Sequence, residues 1–490
     1  MRNTLNNHRA NLSMIAVLAM FSRGLEPEFS RDAQRQLSEL SGPASEADQG
    51  IRDLTGLPWC SIDNDDSRDL DQLTAIEPLP RGGARVFVAV SDVDAVVKKG
   101  SAIDDHARIN TTSVYTSARI FTMLPEPLCT DLTSLNPGKD RLAMVTEMHF
   151  SDDGILVASN VYRALVRNKA QLAYDAVSAW IEGKGELPAA ARAIDGMSDQ
   201  LRMQDELAQK LRVLRRAQGA LEFETFQPRA LFQGERLTAI RQQAHNRARQ
   251  LIEELMIATN GCTARFLAAQ GSPSLRRVVR SPERWQRIVE YVADYGVSLP
   301  DKPDGKALED FLAFRHRIDP LRFPDISLVI VKLMGAGEYV VEHPDAPPIG
   351  HFGLAVEDYM HSTAPNRRFP DLITLRLMKA VLAGDNPPYS NLELDQLAAH
   401  CTVQEDAAKK VERQLRKSEA ALLLHTRIGQ RFDALVTGSG AHEVWVRIFE
   451  PPAEGRLRGD LPELKIGQSI RVRLVSTSVE RGFIDFVLEN

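Results

Sequence analysis

The stretch that decides the fold of this chain covers residues 60–73 and reads CSIDNDDSRDLDQL. Five carboxylates lie between positions 63 and 71. Neighbouring carboxylates repel one another, so such a cluster is costly unless water or cations neutralise it. In an extended segment Asp69 and Asp71 point the same way, and a turn can bring Asp63 back to the same point. The pattern fits either a solvated acidic turn or a site for a hard divalent cation.

A calcium loop of the EF-hand type is excluded by two positions. Such a loop needs glycine at its sixth position and a bidentate glutamate at its twelfth, where this chain has Arg68 and Thr74. Magnesium also takes oxygen ligands and keeps coordination positions for water and phosphate. It lowers the pKa of a bound water and neutralises phosphate charge. The cation hypothesis is therefore a magnesium site for phosphoryl chemistry.

Composition outside this stretch is that of an ordinary globular chain. The 490 residues are 43% hydrophobic and 26% charged, and this length suggests about three domains. The longest apolar run, residues 14–21, is shorter than a membrane span. A net charge of −6 argues mildly against nucleic-acid binding but leaves room for a local basic channel. Four scattered cysteines exclude a zinc ribbon and favour a reducing, cytoplasmic location.

Residues 1–55 are predicted to form a small helical unit. One helix is expected over about 11–23, packed through an apolar face that contains Met14, Val17, Leu18 and Phe21. A second helix begins after a Ser30 cap and ends near position 42. No small-residue cleavage site follows the apolar run, so a packed helix is expected rather than an export signal. The pair fits either a helix-turn-helix domain or a plain helical cap.

The end of the chain returns to strands after a mostly helical middle and a long charged helix over about 392–426. Alternation separates two faces of one strand, Val444, Val446 and Ile448 against Trp445, Arg447 and Phe449. About 60 residues of short strands with glycine turns fit a five-stranded OB-type barrel. Aromatic and arginine side chains on an outer face can stack unpaired bases, so Trp445 is expected to contact nucleic acid.

Further blocks follow the acidic stretch in a fixed order: VAVSDV at 88–93, TSVY at 112–115, MLPE at 123–126, SLNPG at 134–138, LIEELM at 251–256, HFGL at 351–354 and YMHSTAPNRRFPD at 359–371. Together with the I-D-x5-D-x-D pattern at 62–71, they resemble the catalytic domain of the RNase II/RNase R family of exoribonucleases. The resemblance implies an α/β (α+β) RNB-type catalytic domain at 56–428. It places a helical, possibly helix-turn-helix, domain at 1–55 before it and an S1-type OB barrel at 429–490 after it.

The activity that the resemblance implies is magnesium-dependent 3′→5′ hydrolysis of single-stranded RNA to 5′-nucleoside monophosphates, with some tolerance of structured RNA. Asp63, Asp69 and Asp71 match three of the family's four metal-binding aspartates, and Gln72 stands at the fourth. Glutamine offers a neutral oxygen but no second negative charge, so we expect a weaker or single-metal centre. The alternative that Gln72 supports is a catalytically weak or inactive RNA-binding or regulatory protein on the same fold.

Arg367 matches the arginine that this family directs at the scissile phosphate and completes the implied catalytic set with Asp69 and Asp71. A guanidinium fork can hold two phosphate oxygens while negative charge builds up. Arg368 beside it is expected to support either RNA or the fold. Basic residues of the last helix fit an RNA path as well as a solvated face: Lys409, Lys410, Arg413, Arg416 and Lys417.

The resemblance also implies several contacts to the RNA end. Tyr115 and Phe223 match two aromatics that clamp stacked bases, an interaction available to every base. Tyr174, with Glu253 or Glu254, matches positions that favour ribose through its 2′-hydroxyl. Glu419 resembles the residue that holds the terminal ribose.

Two cold-shock barrels usually precede the catalytic domain in this family, and 55 residues cannot contain them. We therefore expect RNA to be held by the C-terminal barrel and the N-terminal helices alone, with shorter 3′ overhangs needed beside a duplex. The expected partner is single-stranded RNA, without a membrane, on a monomeric protein. Whether the N-terminal helices bind a protein partner is left open.

Overall fold

The computed structural model describes residues 7–45, 50–80, 82–224, 228–242, 246–320, 322–343, 347–439 and 443–489. Its helices are α1 (His8–Phe21), α2 (Arg31–Glu39), α3 (Ala102–Asn110), α4 (Tyr174–Ile181), α5 (Ala189–Arg192), α6 (Met197–Ala217), α7 (Arg247–Ala269), α8 (Trp285–Ala293), α9 (Gly305–Ile318), α10 (Phe323–Met334), α11 (Phe369–Ala383) and α12 (Asn391–Leu424).

The strands are β1 (Arg52–Asp53), β2 (Cys60–Asp63), β3 (Gln72–Pro78), β4 (Ala84–Ser91), β5 (Val114–Tyr115), β6 (Ile120–Phe121), β7 (Asp140–Phe150), β8 (Leu156–Arg167), β9 (Ala170–Ala173), β10 (Pro228–Gln233), β11 (Arg236–Gln242), β12 (Ser274–Val278), β13 (Glu338–Glu342), β14 (Arg431–Ser439), β15 (Val444–Ile448), β16 (Ala453–Arg458), β17 (Ser469–Ser478) and β18 (Phe483–Glu489). The mixed α/β fold with a terminal barrel agrees with the predicted fold class.

The centre of the molecule is a seven-stranded sheet in the order β1-β8-β7-β4-β3-β2-β9. Strands β1 and β9 join their neighbours in parallel, and the strands between them are antiparallel. Alternate residues of β4 serve two different cores, because successive side chains of a strand point to opposite faces. Val86 and Val88 pack on the side of α6 and α7, while Phe87 and Ala89 pack with Trp59 on the other side. The sheet is therefore buried on both faces.

A single long helix, α12, connects the parts of the molecule. Its 34 residues span about 51 Å at 1.5 Å per residue. Its first turns pack in the core that contains α11, its middle packs on α1, and its last turns enter the core of the barrel. The C-terminal strands form the predicted closed barrel, in the order β14-β15-β16-β18-β17.

Strand β15 confirms one predicted face and corrects the other. Val444, Val446 and Ile448 are buried in the barrel core, as expected. Arg447, however, does not lie on an open base-stacking face. It is buried and its Nη2 lies 2.7 Å from a carboxylate oxygen of Asp325 in α10. The prediction fails because the barrel rests on α10 at this point, and a carboxylate buried there requires a cation.

Helix α1 is present, but of the four side chains predicted to be packed only Val17 contacts a core. Met14 is 60% exposed, and Leu18 and Phe21 are each 61% exposed. The buried face contains Ile15 and its neighbours, which pack against the middle of α12: Leu12, Ala16, Ala19 and Met20. Both sides of the helix are apolar, so hydrophobic spacing alone could not choose between them.

Helix α2 begins at the predicted cap, since the hydroxyl of Ser30 accepts a hydrogen bond from the Ala33 N–H at 3.1 Å. Ala33 joins the core shared by α3 and α11, whereas the buried face of α1 joins the core on α12. The two helices therefore pack into different cores, which agrees with a helical cap rather than with an independent helix-turn-helix domain. Within the described residues, no helix is long and apolar enough to cross a membrane.

Candidate active site

The acidic stretch forms the loop between β2, which ends at Asp63, and β3, which begins at Gln72. Part of the SLNPG block fixes its far end. The hydroxyl of Ser134 accepts from the Leu70 N–H at 3.0 Å and donates to the Arg68 carbonyl at 3.1 Å. The Leu135 N–H donates to the Leu70 carbonyl at 3.0 Å. These contacts fix the backbone on both sides of Asp69.

Asp71 is the buried member of the cluster, only 2% exposed. Its two oxygens accept hydrogen bonds from the Asn366 N–H at 3.0 Å and from Arg367 Nε at 3.2 Å. Burial raises the pKa of Asp71 to about 7, against the opposing effect of the Arg367 charge. The structure thus brings together two predicted catalytic residues that are 296 positions apart in sequence. Sequence reasoning missed the backbone contact of Asn366.

Asp69 lies beside Tyr115. The Tyr115 hydroxyl donates to Asp69 Oδ2 at 3.1 Å, and the Tyr115 N–H donates to Glu412 Oε1 at 3.0 Å. Tyr115 is 39% exposed, so part of its ring is accessible. The ring therefore lies next to the acidic loop and is partly accessible.

The three aspartates fit magnesium in their chemistry, although they do not form a complete cage. Burial is the main cause that raises the pKa of Asp63, and the charge of Asp69 adds to the rise at both Asp63 and Asp71. Within the described ranges, no three His, Cys, Asp or Glu side chains are arranged to hold a metal ion. Mg²⁺ needs only one or two carboxylates when water and substrate phosphates supply the other ligands.

Gln72, predicted at the fourth metal position, is the first residue of β3. Strand alternation puts its side chain on the face shared by Thr74 and Ile76. Ile76 packs in the core that contains α6 and α7, and the Thr74 hydroxyl donates to Gln204 of α6 at 2.9 Å. Strand alternation directs the Gln72 side chain to the face opposite that of Leu73, which packs in the core with Trp59. Metal ligation by Gln72 remains a prediction.

A cavity of about 1550 Å³ opens beside Asp69 and Tyr115. Its wall also contains Glu412, Arg416 and Glu419 of α12. Glu419 is only 3% exposed and accepts a hydrogen bond from the Ser117 hydroxyl at 2.5 Å. Burial raises its pKa to about 7. The structure thus places Glu419, matched only through the resemblance, in the same cavity wall as Tyr115.

Sequence reasoning missed three aromatics in this wall, Phe29, Phe121 and Phe232. Phe232 of β10 lines the cavity, with the guanidinium carbon of Arg9 from α1 at 4.4 Å from its ring centroid. The contact of Phe232 with the first helix joins segments that are far apart in sequence, so no local pattern indicated it. The N-terminal helix is therefore part of the cavity wall.

Other predicted RNA contacts lie elsewhere. Phe223 is half-buried against the helical cluster of α8–α10 and is not among the cavity-lining residues of the described part of the chain. Tyr174 begins α4 under the guanidinium of Arg249, 4.4 Å from its ring centroid, and Arg249 also donates to Asn64 of the acidic loop at 2.6 Å. Tyr174 is thus close to the metal-site candidates. The roles of both aromatics remain predictions.

Two charged candidates are engaged in structural contacts. Arg368 donates to Asp371 at 2.6 Å and to the Thr363 hydroxyl at 3.3 Å, contacts that organise the start of α11. Glu254 is buried and paired with Arg215, whose Nη2 lies 2.5 Å from its carboxylate. These contacts support the fold, and RNA binding by Arg368 remains a prediction.

Two family models match the chain, and together they cover the catalytic part and the barrel. The family model described as "RNB domain" matches residues 51–384, and the one described as "RNase II-type exonuclease C-terminal S1 domain" matches residues 430–489. The chain belongs to the RNB family. The RNB match contains the acidic loop, Tyr115 and the Asp71–Arg367 contact, so the family resemblance inferred from the motifs is confirmed.

Curated relatives of this RNB protein are named Ribonuclease R. The one from Vibrio cholerae is 29% identical over 96% of this chain and 61% of its own length. The one from Escherichia coli is 30% identical over 90% of this chain and 58% of its own length. The chain therefore spans about three fifths of the length of these relatives.

Solved structures share the RNB fold over nearly the whole chain. The apo form of Mycoplasma genitalium RNase R has a TM-score of 0.87 at 22% identity, covering 99% of this chain and 78% of its own. The same protein was solved with ribose-methylated single-stranded RNA, with a TM-score of 0.87. Yeast Ssd1, a pseudonuclease, has a TM-score of 0.69 at 17% identity, covering 89% of this chain and 54% of its own. At these identities the likeness demonstrates the fold alone.

Proposed function

We propose that this protein is a magnesium-dependent 3′→5′ exoribonuclease that hydrolyses single-stranded RNA to 5′-nucleoside monophosphates. The observation that carries the proposal is the contact between Asp71 and Arg367, next to a cavity whose wall contains Asp69 and Tyr115. Relatives named Ribonuclease R, and a structure of one of them with single-stranded RNA, support the choice of substrate.

Arg367 has the geometry needed to hold a phosphate. It reaches Asp71 through Nε, and a guanidinium has further donors on its two Nη atoms. A fork of this kind can bind phosphate oxygens with charge-assisted hydrogen bonds. As negative charge develops on the phosphate, a fixed cation stabilises the transition state. Asp71 keeps the guanidinium in place before the substrate arrives.

Asp69, with Asp63 or Asp71, would hold the magnesium ion. A bound ion would lower the pKa of an attacking water and offset phosphate charge. Tyr115 would stack on a base near the 3′ end, and its hydroxyl contact with Asp69 fixes the ring relative to the acidic loop. Stacking is available to every base, so degradation would be independent of sequence.

The test is shortening of a 5′-labelled oligoribonucleotide in the presence of Mg²⁺. We expect single-nucleotide steps by the wild type and a loss of about 10²–10³-fold for Asp71→Asn, comparable to loss of one preorganised electrostatic group. Asp65→Asn is the matched control, because Asp65 is an exposed member of the same loop. Equal activities of the two variants would contradict the assignment.

A second candidate is an RNA-binding protein without nuclease activity. Gln72 at the fourth metal position favours it, and the fold is also found in a pseudonuclease. The same assay separates the two, since a wild-type protein that binds the oligoribonucleotide and never shortens it is the second candidate. We also propose that the protein is a monomer. A cytoplasmic location is supported by its four buried, free cysteines.

A further inference from the structure

Helix α12 contributes charged residues to two separate concave regions. Glu412, Arg416 and Glu419 line the large cavity. Lys410, Arg413 and Lys417 instead line a separate outer cleft of about 450 Å³. Lys410 and Lys417 are each two residues from Glu412 and Glu419, about 200° around a helix of 3.6 residues per turn, whereas Arg413 and Arg416 are three residues apart and only about 60° from each other. The outer cleft is therefore not a part of the cavity next to the acidic loop.

Three elements build the outer cleft, which we define by Arg23, Lys410, Arg413, Gln414, Lys417, Glu480, Arg481 and Phe483. Arg23, just after α1, is held by the Ala19 carbonyl at 2.9 Å and by Gln414 Oε1 at 2.7 Å. The turn before β18 lies directly on α12 at Gly482, whose φ is +64°. A Cβ at Gly482 would be 2.8 Å from the Lys417 Cβ, so only glycine permits this approach.

The charge of the outer cleft is strongly one-sided in a protein whose net charge is −6. Five cations face a single carboxylate, Glu480. Some of the cations already have partners, such as Lys410 with Asp406 at 2.7 Å. Arg413 and Arg481 are exposed and form no hydrogen bond or ion pair with any described residue. Uncompensated arginines in a concave site attract a polyanion.

An aromatic ring lies among these cations. Phe483 is 54% exposed at the start of β18. Lys417 continues the surface towards β15, because its Nζ lies 4.7 Å from the ring centroid of Trp445. A basic groove with aromatic rings is the combination that binds a single strand, since the cations follow the phosphates and the rings stack on bases. An acidic peptide would need the cations but not the rings.

We propose that the outer cleft is a second RNA-binding site, which holds the sugar–phosphate backbone and stacks bases of a single strand outside the cavity. The inference rests on the proposed function for the identity of the polyanion. Because α12 separates the two sites, only a strand long enough to pass around the helix can occupy both at once. The cleft should therefore strengthen binding of long RNA and leave short RNA unaffected.

The test measures binding of fluorescein-labelled RNAs in EDTA, so that the strands stay intact. The RNAs are about 5 and about 30 nucleotides long, near the lower end of the site sizes of single-strand-binding folds and well above them. For Arg413→Ala/Arg481→Ala we expect affinity for the long RNA to fall about 10-fold, with a salt-dependence slope smaller by about 1.4. Affinity for the short RNA should not change. Phe483→Ala should weaken binding of the long RNA without changing the salt slope.

The matched control is Arg287→Ala/Lys302→Ala, which removes two exposed charges from the region of α8 and α9. Unchanged long-RNA affinity in the cleft variant, or an equal loss for both RNA lengths, would overturn the proposal. So would loss of polyglutamate binding without loss of RNA binding, which would assign the cleft to an acidic protein. Failure of the proposed function has a different signature, namely that wild-type protein never shortens the short RNA in Mg²⁺.

Discussion

At the scale of single residues, Glu419 is a carboxylic acid whose burial disfavours its ionised form. Glu419 is almost fully buried in the cavity wall. Within the described part of the chain, the only hydrogen bond that its carboxylate accepts comes from the Ser117 hydroxyl. Burial raises the pKa of Glu419 to about 7. A raised carboxyl pKa means that the folded chain binds the proton more tightly than the unfolded chain. Neutral Glu419 therefore stabilises the fold, and that contribution disappears as the carboxyl ionises.

We expect the wild type to lose stability as the pH rises, and we expect Glu419→Gln to remove this part of the pH dependence. The contribution is fully present below the unfolded pKa of 4.5 and is lost as the pH rises through about 7. Its upper size is about 3 kcal/mol, from 1.36 kcal/mol per pKa unit. Thermal unfolding at pH 5 and pH 8 should give a smaller difference in Tm for the variant than for the wild type. Glu463→Gln, on an exposed loop of the barrel, should behave like the wild type.

At the scale of elements, the packing of α1 on α12 depends on small side chains. Ala16 and Ala19 of α1 share a core with Ala407 and Ala408 of α12. Such residues let two helix backbones approach closely, while the larger Met14, Leu18 and Phe21 remain on the outside. Hydrophobic spacing predicted a helix here correctly, but it assigned Met14, Leu18 and Phe21 to the buried face in place of Ile15 and its neighbours.

Two substitutions of similar chemistry test this orientation of α1. Ile15→Ala removes a buried side chain and should lower the free energy of unfolding by about 2–4 kcal/mol, the usual cost of such a cavity. Leu18→Ala removes an exposed side chain and should change it by less than about 0.5 kcal/mol. Chemical denaturation of both variants gives the comparison. A larger loss for Leu18→Ala would restore the orientation predicted from the sequence.

Contacts between residues close in sequence, or within recognisable motifs, could be predicted, whereas contacts between distant segments could not. Strand alternation found the barrel core at Val444 and Val446, because it is a local property of the chain. The resemblance found Asp71 and Arg367, because both lie in motifs. The salt bridge of Arg447 and the contact of Arg9 with Phe232 join segments that no local pattern connects. Both could be found only once the fold was known.

At the scale of the whole molecule, one buried ion pair joins the barrel to the catalytic domain. Arg447 of β15 and Asp325 of α10 are each about 7% exposed. Burial raises the pKa of Asp325, and the charge of Arg447 opposes that rise. Removing one partner of a buried pair leaves an uncompensated charge, whereas replacing both with apolar residues is often neutral. The pair therefore matters for how the barrel is placed as well as for stability.

A double-mutant cycle measures this pair. Arg447→Met alone should lower the free energy of unfolding by about 3–5 kcal/mol, because the Asp325 carboxylate would stay buried without its cation. Asp325→Leu/Arg447→Met should recover most of that loss. Thermal unfolding of the two single variants and the double variant supplies the coupling energy. Additive losses would mean that the two side chains act independently.

Helix α12 has a practical consequence for dissecting this protein. Its last turn contributes Ala420, Ala421 and Leu424 to the barrel interior, while earlier turns complete the cores of its other neighbours. A truncation at the apparent domain border near Gly429 would remove these residues from the barrel core. It would also leave their apolar side chains exposed at the end of the remaining fragment. The barrel is therefore not expected to fold independently of α12, and any chimera that contains it should include the last turns of this helix.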